Sequence, residues 1–488
     1  MNSPSTVLIV GGGPCGLMMA CELRRRGVDA VIVDADEQPG GGSRAILLWP
    51  PSLELYRDVG ILEEATKRGA RIKALSYHTG GNPLRLPLAQ HMAPLILPQE
   101  DTVELLDDEL RRLGGEVRRG VRVTGVTQEA DRVVVTATRA DGTEITLETE
   151  WLIAADGFRS TVRDLIGARF TGAPLPIRFL LAEGDLEGGH DPEAVTYYLG
   201  RTGVVLVAPL PGGRVRISGA LPDGVEVDEG TAQRLLDERG PGGLRVTGLT
   251  MNTTFTSHER IASTLRVGRC FLVGDAAHVH SVVGGQGLNL GFADARNLAW
   301  KLAGVIQGRY VPGVLDSYDP ERRAAAEQTV QATGRMARQA VLSPLANRVR
   351  NALMTLAHRT GALGKKLPPL LSGWLIRYPD VLIPAPAKVP RGLPLPGTRS
   401  PLYVLEPDEA DRWQLITVGA EGGDAYAQGT ALAGRLPGLL AHRHRDGGAE
   451  GFVLLRPDGY VATAGRPGDL APAATALEKL APQNSKEQ

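Results

Sequence analysis

At 488 residues the chain is too long for one ordinary domain and implies two or three. Its 42% hydrophobic and 22% charged content excludes a wholly disordered chain. With 54 basic and 55 acidic side chains the net charge is −1, so no global excess steers it toward nucleic acid or anionic lipid.

Local basic runs at Arg24-Arg25-Arg26 and Arg111-Arg112 read as solvated helix faces. Cys15, Cys21 and Cys270 are too few for a disulfide framework, and no pair has zinc-finger spacing. The opening residues carry no basic segment followed by an apolar signal core, and no apolar run approaches the roughly 18 residues of a membrane span. The expectation is a cytoplasmic monomer or homodimer with no membrane or nucleic-acid partner. No internal repeat is evident, which excludes solenoids and propellers.

In chain order, the first element is the strand-like run Thr6–Val10, which ends in Gly11-Gly12-Gly13-Pro14-Cys15-Gly16. A helix follows, with Leu17, Met18, Cys21 and Leu23 apolar, arginines at its negative end and Gly27 as its expected C-cap. A second strand, Ala30–Val33, closes on Asp34. Asp101 and Glu104 read as a cap and its N3 partner for a helix that Gly114 stops. From Val117 to Thr149 the period is two, with a hairpin at Asp141-Gly142. Trp151–Ala155 is a buried strand leading into Asp156-Gly157. Strands dominate from about 175 to 265, clearest at Ala194–Leu199, Gly203–Pro209 and Arg214–Ala220. Cys270–Val273 is another buried strand, a strong helix covers Gly287–Ile306, and leucine- and arginine-rich helices fill 318–378. Six prolines between 384 and 401 mark a linker. Beyond it lie short strands, including Gln414–Val418 and Phe452–Leu455, and a helix near 471–480.

The chemistry concentrates in three places. Gly11-x-Gly13-x-x-Gly16 sits between a strand and a helix, and Asp34 follows eighteen residues after the last glycine. Such a turn lets a pyrophosphate approach the backbone and the helix N-terminus, while the acid accepts from a ribose diol. The turn alone does not distinguish FAD from NAD. Asp156-Gly157-Phe158-Arg159 is the second place. The third runs from Gly274-Asp275-Ala276-Ala277-His278 through Gly284-Gly285-Gln286-Gly287-Leu288-Asn289 to Asp294-Ala295-Arg296-Asn297. There Asp275 follows a buried strand and can reach a polyol, and the glycine run opens a helix toward a bound ring. His278 and His280 lack a third ligand nearby and read as structural.

Together, in this order, the three segments resemble the class A flavoprotein monooxygenases, the family of para-hydroxybenzoate hydroxylase and phenol hydroxylase. The resemblance implies an α/β chain with a Rossmann-like FAD-binding domain, a β-rich substrate domain and a tail. It assigns Gly11, Gly13, Cys15 and Gly16 to the pyrophosphate turn, with Asp34 where the family usually has a ribose-binding Glu. Ser43-Arg44-Ala45 matches a segment whose arginine touches the cofactor and helps to hold the flavin in or out of the pocket. Gln99 and Val123 fall beside the cofactor, Asp156-Gly157 in a segment tied to FAD and NAD(P)H use, and Asp275 at the ribityl position. Gly287, Leu288 and Asn289 start the helix under the pyrimidine edge, where a helix N-terminus stabilises the anion of reduced flavin. Arg44, Val283 and Gly284 are the expected catalytic positions, the last two in the loop beside flavin C4a and substrate.

The last ninety residues, containing Leu455-Arg456-Pro457-Asp458-Gly459-Tyr460-Val461, look like the thioredoxin-like tail of the polyketide hydroxylase and rifampicin monooxygenase branch, without a Cys-x-x-Cys. The expected boundaries are 1–175 for the first part of the FAD domain, with a substrate-domain insertion near 75–100, and 176–265 for the substrate domain. Residues 266–385 complete the FAD domain, 386–400 form the linker and 401–488 the tail. The resemblance implies non-covalent FAD, NAD(P)H as a transient reductant and O2. It further implies hydroxylation of a bulky aromatic, polyketide-like metabolite through a flavin C4a-hydroperoxide. Many relatives carry proline where this chain has Ser281-Val282-Val283, which keeps epoxidation or Baeyer–Villiger oxidation open as alternatives. A plain NAD-dependent dehydrogenase leaves Gln99 and the Asp275 segment unexplained, and a non-catalytic flavin-binding protein is the other rival. Strands around 195–220 and helices near 330–378 are expected to line the pocket, and Arg201 and Arg216 are read as surface arginines rather than substrate partners.

Overall fold

The computed structural model describes residues 5–40, 45–80, 83–222, 224–406, 409, 411–447 and 450–482. Its first sheet is built on Ser5–Val10, which pairs in parallel with Ala30–Val33 on one side and Glu144–Ala154 on the other. Cys270–Leu272 extends the parallel set beyond Glu144–Ala154. Val7, Leu8 and Ile9 are buried on both faces, which is why this strand reads as an unbroken apolar run. Helix Pro14–Arg24 packs beside Gln99–Arg112 and Gly287–Ile306. The hairpin Val121–Gln128 and Val133–Arg139 hangs from the same sheet, and its neighbour turn places Gly142 at φ +86°.

Two caps differ from expectation. The 99–112 helix starts at Gln99 with Pro98 as its N-cap residue, so Asp101 lies in the first turn and forms no capping box. Proline's fixed φ admits the chain to the helix three residues early. Helix Pro14–Arg24 closes at Arg25, and Gly27 takes its left-handed φ of 76° only two residues later.

A second eight-stranded sheet runs in the order His278–Val279, Arg245–Ala262, Phe170–Glu187, Val215–Leu221, Val204–Pro209, Ala194–Leu199, Ala74–His78, Leu84–Pro87. Residues 74–87 thus join strands from 170–262 in one sheet. Side chains alternate across it. Leu180, Ala182, Val205, Val207, Val215 and Ile217 meet helix Thr231–Arg239. On the opposite face Tyr77, Leu86, Leu199, Ala208 and Leu210 meet Leu371 and Leu367 of helix Ala362–Leu371. The chain passes from one sheet to the other through the turn Gly274–Ala276, since Cys270–Leu272 belongs to the first and His278–Val279 to the second.

The C-terminal unit has a four-stranded sheet, with Trp413–Gly419 parallel to Leu440–Asp446 and antiparallel to Gly451–Leu455, and Val461–Gly465 at the edge. It is bound to the rest by buried charge. Glu321 accepts from Arg456 at 2.7 Å through both oxygens, and from Lys301 Nζ at 2.7 Å and Asn297 Nδ2 at 2.8 Å. Asp458 completes the cluster on Arg456, and Trp300 meets Trp413 edge-on at 5.7 Å.

The Arg24–Arg26 run is not a solvated face. Arg26 is buried between Glu22 and Asp411, the latter from the C-terminal unit, because a second domain covers this helix end. Arg111 and Arg112 do face solvent, beside Asp107, Asp108 and Glu109. The proline-rich stretch is tied down as well. Gly397 N donates to Val461 O and Val461 N to Thr398 O, both at 2.8 Å, while Arg399 is buried against Glu54 and Asp458.

Removing Glu321 from this joint takes the carboxylate from buried Lys301 and leaves Arg456 with Asp458 alone. Glu321→Ala is expected to cost about 3–5 kcal/mol, read as a lower unfolding midpoint. Arg456 and Lys301 hold the Glu321 carboxyl down at about 2 against the penalty of burial, and Arg25 and Arg26 do the same for Glu22. Both folded values lie below the unfolded value near 4.5, so their stabilisation is complete above that pH and declines as pH falls toward about 2. Denaturation midpoints from about pH 6 to about pH 2.5 should trace that decline in wild type and a shallower one in Glu321→Gln.

Candidate functional site

The Gly11–Gly16 turn separates two kinds of glycine. A Cβ on Gly11 would lie 2.3 Å from Ala155 O, and one on Gly16 would lie 1.9 Å from Gly11 O, so protein packing forbids a side chain at both. Around Gly13 no protein atom lies within 4 Å of the same point. That side chain is missing where the protein itself leaves open space, at the N-terminus of helix Pro14–Arg24, and a phosphate fits there. Asp34 stands at the end of its strand and accepts from Gly12 N and Asp36 N. Each oxygen keeps a lone pair for a ribose hydroxyl.

Asp275 is the one exposed residue between Cys270 and His278, all the others being buried. Gly274 bends the chain at φ +63°, with Cys15 Sγ 2.8 Å from where its Cβ would be. The same sulfur lies 2.4 Å from the corresponding point on Gly291, so Cys15 wedges the first turn against the second and against the long helix. Burial, with Asp275 and Asp294 nearby, pushes its thiol well up, which keeps it neutral.

Asp294 sets the Gly274–Asp275 turn from below. Fully buried, it accepts from Gly274 N at 2.9 Å, His278 Nε2 at 2.7 Å and Arg322 Nε at 2.6 Å. Burial raises its carboxyl, but His278 and Arg322 outweigh that and the net shift is downward. Arg322 also donates to Tyr378 Oη and Leu290 O. His278 is therefore structural, as expected. His280 Nδ1 donates to Ser281 O at 2.8 Å, and burial pulls its imidazole down to about 4, which keeps that ring neutral. Among the described residues no three metal-ligating side chains cluster.

The Ser281–Asn289 segment is fixed from outside. Trp49 Nε1 donates to Gly284 O at 3.0 Å. Asn289 Oδ1 accepts from Trp49 N and Ser52 Oγ, and its Nδ2 donates to Leu47 O and Gly285 O. Its side chain is fully engaged, so only its backbone N–H, with those of Gly287 and Leu288, can serve a ligand at the helix start. Gly284 and Gly285 need positive φ, +89° and +61°, whereas a Cβ on Gly287 would meet only His280 Nε2 at 4.0 Å. Val283, like Phe255, packs against the cluster that includes Phe179 and Ala220 of the second sheet. The loop thus has its helix start on one side and an apolar chamber on the other.

That chamber brings together the strands around 195–220 and the helices near 330–378. Tyr77 stacks on Tyr197 with centroids 5.0 Å apart, and Phe179 stacks on Phe255 at 5.5 Å. Burial raises both phenols, Tyr197 to about 12. Arg201 is exposed, but Arg216 is not the surface residue expected. It alternates with Val215 and Ile217, so it points to the chamber face, where it is buried and paired with Glu183.

The remaining predicted positions divide. Gln99 Oε1 accepts from Ala45 N at 3.4 Å, which sets it beside Ala45. Ser43 and Arg44 themselves lie outside the described residues. Val123 turns its side chain into the main core, leaving its backbone for any cofactor contact. Asp156 is engaged by Ser160 Oγ and Val162 N and organises its own turn. Asp294 lies in a segment already singled out and reaches the site seven residues along the helix from Gly287, a spacing that puts both on one face. Trp49 and Arg322 carried no local signal.

These groups fit FAD. Gly13 and Gly287 leave room that the protein does not fill, Asp34 and Asp275 face outward at two strand ends, and two helix N-termini point to the same region. A family profile described as an FAD binding domain matches residues 4–333. The chain is 31% identical to 6-methylpretetramide 4-monooxygenase of Streptomyces rimosus over 94% of its own length and 90% of that protein's. It is 37% identical to rifampicin monooxygenase of Streptomyces venezuelae over 67% of its length and 70% of the relative's. The solved anhydrotetracycline hydroxylase of Streptomyces rimosus superposes with a TM-score of 0.76, covering 98% of this chain and 99% of that one at 29% identity. The chain belongs to the FAD-binding family and is a flavin-dependent monooxygenase.

Proposed function

We propose that this enzyme uses NAD(P)H and O2 to hydroxylate a bulky aromatic, polyketide-like metabolite. The observation that carries the reading is the loop at 281–289, which has an open helix start on one side and an apolar chamber on the other. Gly11, Gly13, Cys15, Gly16 and Asp34 would hold the ADP half of FAD, Asp275 its ribityl chain, and the N–H groups of Gly287, Leu288 and Asn289 its ring. FAD, when bound, supplies the two-electron acceptor for NAD(P)H and the activation of O2.

The chain's own residues then have three tasks. The helix Gly287–Ile306 directs its N-terminal dipole at charge that develops on the ring, without a titratable group. Trp49 and Asn289 lock the loop so that Val283 and Gly284 keep their place between ring and substrate. The stacked Tyr77–Tyr197 and Phe179–Phe255 pairs offer flat aromatic surface and exclude water. A cavity of about 190 Å³ beside Gln286, Thr333, Arg335 and Met336 is smaller than the roughly 300 Å³ that a drug-sized ligand needs, so substrate entry must widen this region. That requirement supports gating of flavin reduction by substrate. Relatives acting on 6-methylpretetramide, rifampicin and anhydrotetracycline, by their names, support the substrate class.

The proposed organisation keeps the second sheet as the substrate domain and the C-terminal unit as a thioredoxin-like tail. The tail's strand order, with one parallel pair and two antiparallel additions, suits that fold. Without a Cys-x-x-Cys its role is packing. The need for NAD(P)H supports a cytoplasmic site of action. No described helix is long and apolar enough to cross a membrane.

The two kinds of glycine give a direct test of the cofactor site. Gly13→Val should fold and melt like the apo wild type yet purify colourless, whereas Gly16→Ala should lose folded protein. A yellow Gly13→Val would remove the pyrophosphate from this turn. Acid precipitation of wild type should release FAD rather than FMN, and Asp275→Ala should weaken retention by about 0.5–1.5 kcal/mol per lost hydrogen bond, measured by FAD titration.

For the reaction, rapid mixing with NAD(P)H should show reduction at least about tenfold faster, roughly 1.4 kcal/mol of barrier, once the right aromatic is bound. One atom from labelled O2 should enter the product, and its NMR spectrum separates hydroxylation from ring insertion. Equal reduction rates with and without a confirmed substrate would exclude the gated class.

A further inference from the structure

The roof of the chamber has a second apolar face that no described residue covers. Helix Pro344–Arg359 and helix Ala362–Leu371 form a hairpin whose inner side chains, Met354, Leu363, Leu367 and Leu371, pack toward Tyr77, Leu84 and Leu86. On the outer side Leu345, Val349, Leu353 and Leu356 are 72%, 53%, 60% and 59% exposed. Their spacing of four, four and three residues aligns them along one stripe, about 16 Å long at helical rise. Isolated exposed leucines are ordinary, but a continuous stripe marks an interaction surface.

Charge says what kind of surface it meets. From Gln328 to Pro379 the sequence contains eight Lys and Arg and not one Asp or Glu. Arg348, Arg359, Lys365 and Lys366, all exposed, therefore have no acid on their own hairpin. Other exposed cations, such as Lys67 with Glu63 and Arg111 with Asp107, do sit beside a local acid. A second copy of the chain docking through this stripe would bring the same cations together with no counter-charge from the segment, which opposes a symmetric pair. The complementary partner is anionic and apolar at once. An exposed helix face with a narrow aliphatic stripe beside cations has the form of an interfacial helix, which lays its apolar face between lipid headgroups.

We propose that the 344–371 hairpin docks on an anionic phospholipid surface, with Leu345, Val349, Leu353 and Leu356 entering between acyl chains and Arg348, Arg359, Lys365 and Lys366 meeting phosphate. This is peripheral attachment, and it amends the expectation from net charge that no membrane is a partner. The docking stands apart from the chemistry beneath it, since the stripe lies on the face turned away from the chamber.

The test is vesicle flotation of the flavin-loaded enzyme. At low salt the protein should float with phosphatidylcholine vesicles containing phosphatidylglycerol at least about tenfold more than with phosphatidylcholine alone, and raised salt should release it. Leu353→Glu/Leu356→Glu should abolish flotation while leaving the melting temperature and FAD content unchanged, because both side chains already face solvent. Lys365→Glu/Lys366→Glu should weaken binding and flatten its salt dependence. Wild type that stays in solution with anionic vesicles, as an acidic protein partner would give, overturns the proposal. So do variants that float like wild type, or a dimer in sedimentation that Leu353→Glu/Leu356→Glu splits, which would make the stripe a contact between copies.

Discussion

Everything at the candidate site depends on one buried carboxylate. Asp294 gathers an amide from the Gly274 turn, a ring nitrogen of His278 and the guanidinium of Arg322 around two oxygens. A buried anion is tolerated only when its lone pairs are filled, and here each partner belongs to a different element. Its three bonds therefore fix the end of a first-sheet strand, the start of a second-sheet strand and helix Tyr318–Arg338 relative to the long helix. Asp275 faces outward because Asp294 holds the residue before it.

This arrangement separates rigidity from room. Cys15, Gly274 and Gly291 are in contact, and Asn289 spends its whole side chain on Trp49, Ser52, Leu47 and Gly285. The parts that would touch a cofactor are backbone groups whose positions such contacts dictate, and preorganised dipoles need no movement when charge develops. The chamber is built in the opposite way. Aromatic pairs and aliphatic side chains make up much of its lining, and Asn347 and Asn351 of its helical roof donate to Arg201 O and Leu199 O at the edge.

The fold was legible wherever burial is local. Thr6–Val10, Trp151–Ala155 and Cys270–Val273 are apolar because this parallel sheet is buried on both faces, and Gly287–Ile306 is a helix over the range its periodicity predicts. Misreadings occur where a distant element does the burying. Arg26 looks like a solvated helix end until Asp411 arrives from the C-terminal unit, and Arg216 looks like a surface residue until the second sheet turns it toward Glu183. The motif glycines were legible as a set but not individually. Only the packing distinguishes Gly11 and Gly16, which the protein requires, from Gly13 and Gly287, which it leaves open. Trp49 and Arg322 had no signal because Trp49 acts across more than two hundred residues and Arg322 through buried partners on other elements.

The hairpin over the chamber extends the same reasoning to the surface. Its net basic character is invisible in a chain whose total charge is −1, because acids elsewhere balance it. Electrostatic interaction decays within about 8 Å in physiological salt, so a partner feels the local segment and not the sum. Overall charge can exclude a globally polycationic binder, but it says nothing about a 52-residue stretch without an acid. A helix pair that is apolar on both sides is costly to leave in water, and the side facing inward already has its reason in the chamber it covers. The outward stripe requires a separate one, and the unopposed cations beside it specify the sign of whatever supplies it.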